Sequence, residues 1–118
     1  MTIDPETLRT YLPPAGIAAY FLYRYFRNRA VRKSLPGLAA NGAVFVDVRT
    51  PGEFAAGNRP GSLNIPLDEL AGRARELDKT RAVVLCCASG TRSGIAAGIL
   101  RGLGFRNVTN AGPWQNTL

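Results

Sequence analysis

Residues 82–103 read Ala82-Val83-Val84-Leu85-Cys86-Cys87-Ala88-Ser89-Gly90-Thr91-Arg92-Ser93-Gly94-Ile95-Ala96-Ala97-Gly98-Ile99-Leu100-Arg101-Gly102-Leu103. The first five residues form a continuous apolar run, as a strand buried on both faces requires. From Ser93 onward the apolar residues recur at helical spacing. A helix is therefore predicted over 93–103, with Ser93 as its N-cap and Gly104 just past its end. Between strand and helix lies a short loop of small residues headed by Cys87. Strand, tight loop and helix in that order gather backbone N–H groups and the positive end of a helix dipole at the loop. A thiol held there ionises more readily than a free one, and the thiolate is the nucleophile. The stretch predicts an α/β fold and a site for sulfur or phosphate chemistry.

The flanking sequence repeats the strand-helix pattern. Leu35–Gly42 reads as a short amphipathic turn or helix ending in an Asn-Gly turn. Ala43–Val48 is a second buried strand. Thr50-Pro51-Gly52-Glu53 has an N-cap residue, proline at the first helical position and glutamate at the third, so a short helix is expected to run to Ala56 and stop at Gly57. Ser62–Ile65 reads as a short strand ended by Pro66. Asp68 is expected to cap a helix with Leu70, Ala74 and Leu77 on one face. Phe105–Thr109 reads as the last strand. Strands alternating with helices of this length imply βαβ units and a parallel sheet flanked by helices. The ligand site of such a sheet lies beyond the carboxyl ends of its strands. Cys87, Arg49 and Asn110 all fall at predicted strand ends and are expected to share one site. Cys86, one residue out of phase with Cys87, is expected in the core.

The 118 residues suffice for one core, and 46% hydrophobic with 19% charged is an ordinary globular balance. The two cysteines are adjacent and cannot form a disulfide framework, so reduced thiols and a cytoplasmic location are expected. There is no histidine. This excludes Ser-His and Cys-His catalytic pairs and any histidine metal site, and neither a metal nor a cofactor is expected. A catalytic cysteine here must be activated by backbone and cations. Net charge is +7 and unevenly spread. Arg9, Arg24, Arg27, Arg29, Arg32 and Lys33 face only Asp4 and Glu6 within residues 1–34. Charge alone is weak ground for a nucleic-acid partner, and none is expected.

Those first 34 residues form a region of their own, with the second region running over 35–118. Asp4-Pro5-Glu6 starts a helix carrying Leu8, Tyr11 and Leu12, which Pro13-Pro14 is expected to break. Ala15–Tyr23 is then apolar on every helical face, and a basic run follows. A spanning helix needs about 20 apolar residues, more than this stretch supplies. A signal peptide starts basic, whereas this segment starts acidic and ends basic. Three readings stand. The segment is a packing helix that serves the domain or a homodimer, an interfacial membrane helix with a polybasic stop over residues 15–33, or the remnant of a longer membrane segment.

Four ordered motifs resemble those of the single-domain rhodaneses, and especially the small bacterial thiosulfate sulfurtransferases of the phage shock protein E kind. They are Asp47-Val48-Arg49 with Glu53-Phe54; Gly57-x-x-Pro60-Gly61-Ser62-Leu63-Asn64-Ile65-Pro66; Cys87 through Ser93; and Asn110-Ala111-Gly112. The resemblance runs from about Ala43 to Trp114 and implies a three-layer rhodanese-like fold. It implies that Cys87 takes a sulfur from thiosulfate or a related sulfane-sulfur donor, becomes a persulfide, and passes the sulfur to a thiol or cyanide. Amides of Ala88, Ser89, Gly90, Thr91, Arg92 and Ser93 would cradle that persulfide, with the Ser89 and Thr91 hydroxyls as further donors. Arg92 would hold the anionic substrate. Asp47, Arg49 and Glu53 would support the loop, Arg49 pairing with Glu53, and Trp114 would cover the pocket. Related phosphatases use a loop one residue longer, so Cys-x4-Arg favours sulfur, with phosphatase or arsenate reductase chemistry as an alternative. A non-catalytic interaction module and a membrane-tethered sulfur carrier are the others; inactive family members commonly lack the loop cysteine. The sequence departs from the family pattern at Asn58-Arg59, where Arg59 is expected to alter charge near the entrance, and at Gly112-Pro113. The family's first strand is not evident, and the N-terminal helix is expected to cover a sheet edge or exchange between chains in its place.

Overall fold

Along the central strand, Val83, Leu85 and Cys87 point to one side and Val84 and Cys86 to the other, and this alternation divides the core into two apolar layers. The computed structural model describes residues 4–118, with the side chains of residues 8 and 10–13 left aside; the expected roles of Leu8, Tyr11 and Leu12 lie outside the described side chains. In chain order the elements are α1 (Pro5–Ala40), β1 (Val44–Asp47), α2 (Pro51–Ala56), β2 (Leu63–Asn64), α3 (Leu67–Arg73) with a 3-10 turn at Ala74–Glu76, β3 (Val83–Cys87), α4 (Thr91–Gly102), β4 (Val108–Pro113) and a closing 3-10 turn at Trp114–Thr117. The four strands are parallel in the order β2-β1-β3-β4. The larger layer packs α3 and α4 on the sheet through Leu70, Ala74, Leu77, Ala96, Ala97 and Leu100. The smaller layer packs α1 on the opposite face through Leu35, with Val31, Leu38 and Ala39 beside it. The architecture is the expected three-layer α/β arrangement.

Local signals set most element boundaries. Asp4 caps α1 by accepting from the Thr7 N–H at 2.8 Å, with Pro5 at the first position. The capping box at Thr50 and Glu53 starts α2 as expected. Gly104, at φ +94°, follows the end of α4.

Six expectations fail. Pro13-Pro14 does not break the helix, and Leu35–Gly42 is not a separate piece: α1 runs unbroken from Pro5 to Ala40, across the 34/35 junction of the two expected regions. Each internal proline removes one intrahelical donor and frees the carbonyl four residues before it; for Pro13 that carbonyl belongs to Arg9, an exposed residue, where water can serve it. α1 also covers a face of the sheet, not an edge. Asp68 sits in the first turn of α3 without capping it; Pro66 occupies the cap, and the acid still favours the helix dipole there. Phe105 is buried in the core from a loop, and β4 starts later, at Val108, where pairing with Val83 begins. Ser93 is not the N-cap of α4; Gly90 is.

Candidate functional site

The loop after β3 closes around the Cys87 sulfur. Gly90 makes this possible in two ways. Its φ of +103° lies in the left-handed region, and a Cβ there would stand 3.2 Å from the Gly112 Cα. With the backbone turned that way, the Gly90 N–H donates to Cys87 Sγ at 2.9 Å. Freed from capping, Ser93 is fully buried, and its single hydroxyl proton is shared between two acceptors, Asn110 Oδ1 at 2.6 Å and Cys87 Sγ at 3.3 Å. Asn110 in turn accepts from the Gly112 N–H at 2.9 Å and donates to the Gly90 carbonyl at 3.2 Å, tying β4 to the loop. Burial raises the Cys87 thiol. The Ser93 hydroxyl and the N–H groups of Ser93, Gly90 and Ser89 outweigh that effect and bring it below the ordinary 9.0. Its neighbour goes the other way. Burial first, then the charge of Asp47, pushes Cys86 up to about 12. Two adjacent thiols thus have opposite character because β3 sends them to opposite faces.

The remaining loop residues take different places. Ala88, Ser89 and Thr91 are exposed, and the Ser89 and Thr91 hydroxyls lie 3.4 Å from each other instead of on the sulfur. Arg92 stands at the start of α4, where the helix dipole disfavours a cation. Glu53 compensates. Its Oε1 and Oε2 accept from Arg92 Nη1 at 2.7 Å and Nη2 at 2.9 Å. The Arg92 pairing, with the Thr50 N–H behind it, holds the Glu53 carboxyl down to about 2. The fork uses one face of the guanidinium and leaves its other donors for an anion.

The expected Arg49–Glu53 ion pair is therefore corrected. Arg49 is buried against Asp47, with Nη2 to Oδ2 at 2.7 Å and Nε to Oδ1 at 2.9 Å. It reaches α2 only through backbone, donating to the Glu53 carbonyl at 3.2 Å and the Gly57 carbonyl at 2.7 Å. Trp114 stacks on this guanidinium with 4.9 Å to its centroid and packs with the α1 layer; it does not roof the loop. Arg59 is likewise away from the loop, over the Phe45 ring and bonded to the Thr117 carbonyl. Of the three expected strand-end residues, Asn110 joins the sulfur's network through Ser93, while Arg49 braces α2. The sequence offered no local signal for Glu53 holding Arg92, because the two are 39 residues apart.

A model of the rhodanese-like domain matches residues 32–111. The chain belongs to the rhodanese-like domain family. Over 100 residues this rhodanese-like chain is 33% identical to the uncharacterized protein YqhL of Bacillus subtilis (strain 168), a match covering 81% of this chain and 79% of that one. It is 38% identical over 81 residues to the thiosulfate sulfurtransferase PspE of Escherichia coli (strain K12), covering 67% and 76%. Among solved structures, the human single-domain sulfurtransferase TSTD1 superposes with a TM-score of 0.63 at 32% identity, covering 71% of this chain and 88% of that one. Sulfur transfer is the activity that the PspE and TSTD1 relatives carry in their names, which supports that activity at the level of the family.

Proposed function

We propose that this protein is a thiosulfate-type sulfurtransferase that carries sulfur as a persulfide on Cys87. The observation that carries the reading is the pair of donors on Cys87 Sγ, the Gly90 N–H at 2.9 Å and the Ser93 hydroxyl at 3.3 Å. Such donors favour thiolate over thiol and then stabilise a terminal persulfide anion, so no histidine base is required. The thiolate attacks the outer sulfur of thiosulfate. The S–S bond of the donor breaks, and sulfite leaves with the electron pair. Arg92, steadied by Glu53, offers its free donors to the leaving oxyanion. Cys87 has no exposed surface, so the Ser89–Gly90 segment must shift for the donor to reach it. Incubation with thiosulfate is expected to raise the protein mass by one sulfur, about 32 Da, placed on Cys87 by peptide mapping. A protein that gains no sulfur sinks the reading.

A second proposal concerns the side of α1 that faces away from the domain. Leu22, Tyr25, Phe26, Arg29 and Lys33 recur at three- and four-residue spacing, and Leu22, Tyr25 and Phe26 are all more than half exposed. Between Glu6 and Asp47 the sequence contains no acid. Among the described residues no helix is long and apolar enough to cross a membrane. An apolar strip followed by cations suits an anionic lipid surface, at about 1 kcal/mol per basic residue near it. The protein is expected to float with phosphatidylglycerol vesicles and to stay behind when Leu22 and Phe26 are both changed to serine. A wild-type protein left at the bottom of the gradient, as a soluble monomer or dimer, overturns this.

A further inference from the structure

The direction of α1 gives the site a wall that lies largely outside the residues matched to the family. The C-terminal part of α1 packs beside Phe45 and Val84, and the chain then turns into the start of β1. α1 thus runs antiparallel to the strands, and Asn28 meets the far end of the sheet, its Oδ1 accepting from Asn116 Nδ2 at 3.2 Å. The part of α1 before Asn28, from Pro5 on, overhangs the carboxyl edge, where the Cys87 loop sits. A cleft of about 760 Å³ opens between this overhang and the loop, with Tyr20, Arg24 and Arg27 on the helix side and Ser89, Gly90 and Asn110 opposite.

No acid lines the cleft. Among the described residues neither Arg24 nor Arg27 has a salt-bridge partner. Arg24 lies 5.9 Å from the centre of the Tyr20 ring, a cation–π contact between two residues that line the cleft. The volume is far larger than thiosulfate needs and falls in the range of about 300–1,000 Å³ that organic ligands occupy. The side of the cleft opposite the helix reaches the chemistry: the Gly90 N–H donates to Cys87 Sγ, and Asn110 bonds the Ser93 hydroxyl that also contacts that sulfur.

We infer that this cleft is the acceptor site, built for an organic thiol of peptide size whose carboxylates rest on Arg24 and Arg27. The inference rests on the persulfide reading above. With the acceptor so held, its thiolate sulfur forms a bond to the outer sulfur of the Cys87 persulfide. The bond from that sulfur to Cys87 breaks, and its electron pair returns to Sγ. The proton of the acceptor thiol ends on the outgoing persulfide. The sulfane sulfur changes partner, and no external oxidant or reductant enters. Guanidinium forks favour carboxylate-bearing thiols over neutral ones of similar reactivity.

The test is single-turnover transfer from thiosulfate-loaded protein to glutathione and to 2-mercaptoethanol, in wild type and in the double variant Arg24→Gln, Arg27→Gln. These changes remove the guanidinium groups and keep helix propensity. The ratio of the glutathione rate to the 2-mercaptoethanol rate is expected to fall about tenfold or more in the variant, as loss of about 1.4 kcal/mol of preference requires. An unchanged ratio overturns the acceptor site and leaves the sulfurtransferase reading standing. If the wild type takes up no sulfur, that reading fails by itself, and glutathione titrated into Cys87→Ser protein decides the cleft. Saturable binding lost on changing both arginines supports the cleft, and no saturable binding overturns it.

Discussion

Cys87→Ser is expected to abolish sulfur transfer, with a loss on the order of 1,000-fold or more, while Cys86→Ala keeps activity within a few-fold. The two residues are neighbours in sequence, so bulk chemistry cannot separate them; the pleat of β3 does. Cys87 faces the loop, with the Ser93 hydroxyl and the Gly90 N–H on its sulfur. Cys86 faces the α1 layer, where burial and Asp47 push it up to about 12. Serine at position 87 keeps the size of the group, but its hydroxyl stays protonated at neutral pH and cannot carry a persulfide. The same contrast is expected in alkylation by iodoacetamide. Because the Cys87 value is lowered, its thiolate persists as pH falls below 9.0, and the modification rate is expected to reach half its plateau below that pH. Cys86 should remain unmodified in the folded protein. Equal loss of activity from both substitutions would show that the loop does not single out Cys87.

What the sequence disclosed and what it withheld divide along the range of the forces involved. The Thr50–Glu53 capping box, the out-of-phase placing of Cys86 and Cys87 and the Gly104 helix stop were legible, because each depends on residues within one turn or one pleat. The interior of the loop was less so. Ser93 is a good N-cap by type, but β4 brings Asn110 to its hydroxyl, and the cap passes to Gly90, where a left-handed backbone and the close approach of Gly112 each favour a residue without a Cβ. Charge pairing was misread for the same reason. Arg49 and Glu53 are four residues apart and looked like partners, yet a buried carboxylate two residues away, Asp47, outcompetes the exposed one, and Glu53 is left to Arg92 across the fold. The persistence of α1 through Pro13-Pro14 was not legible from proline chemistry, which counts the lost hydrogen bonds but not the solvent that can replace them on an exposed helix.

Removing the Asp47 carboxylate is expected to be the most destabilising single change near the site. Asp47 has no exposed surface, and Arg49 is 4% exposed. The carboxylate takes the Arg49 Nε and Nη2 protons together with the Arg49 N–H at 3.0 Å. This hydrogen bonding holds the Arg49 guanidinium above its ordinary range despite burial. In Asp47→Ala that cation stays buried with only the Glu53 and Gly57 carbonyls and the face of Trp114, and leaving a buried charge unpaired costs about 3–5 kcal/mol. Urea unfolding should show the loss as a lower midpoint with an unchanged slope. Arg49→Ala is expected to cost less, because the Asp47 carboxylate keeps the backbone N–H of residue 49 as a donor. In the double variant the two losses should fall short of adding, by about 1–3 kcal/mol. Additive losses would mean that the pair contributes no coupling. The damage should also reach the chemistry. Arg49 pins the start and end of α2 to β1 through the Glu53 and Gly57 carbonyls, and Glu53 holds Arg92 at the mouth of the loop. A loosened α2 releases Arg92, so the rate of persulfide formation should fall at urea-free conditions where Asp47→Ala is still folded, while the rate with Cys86→Ala does not.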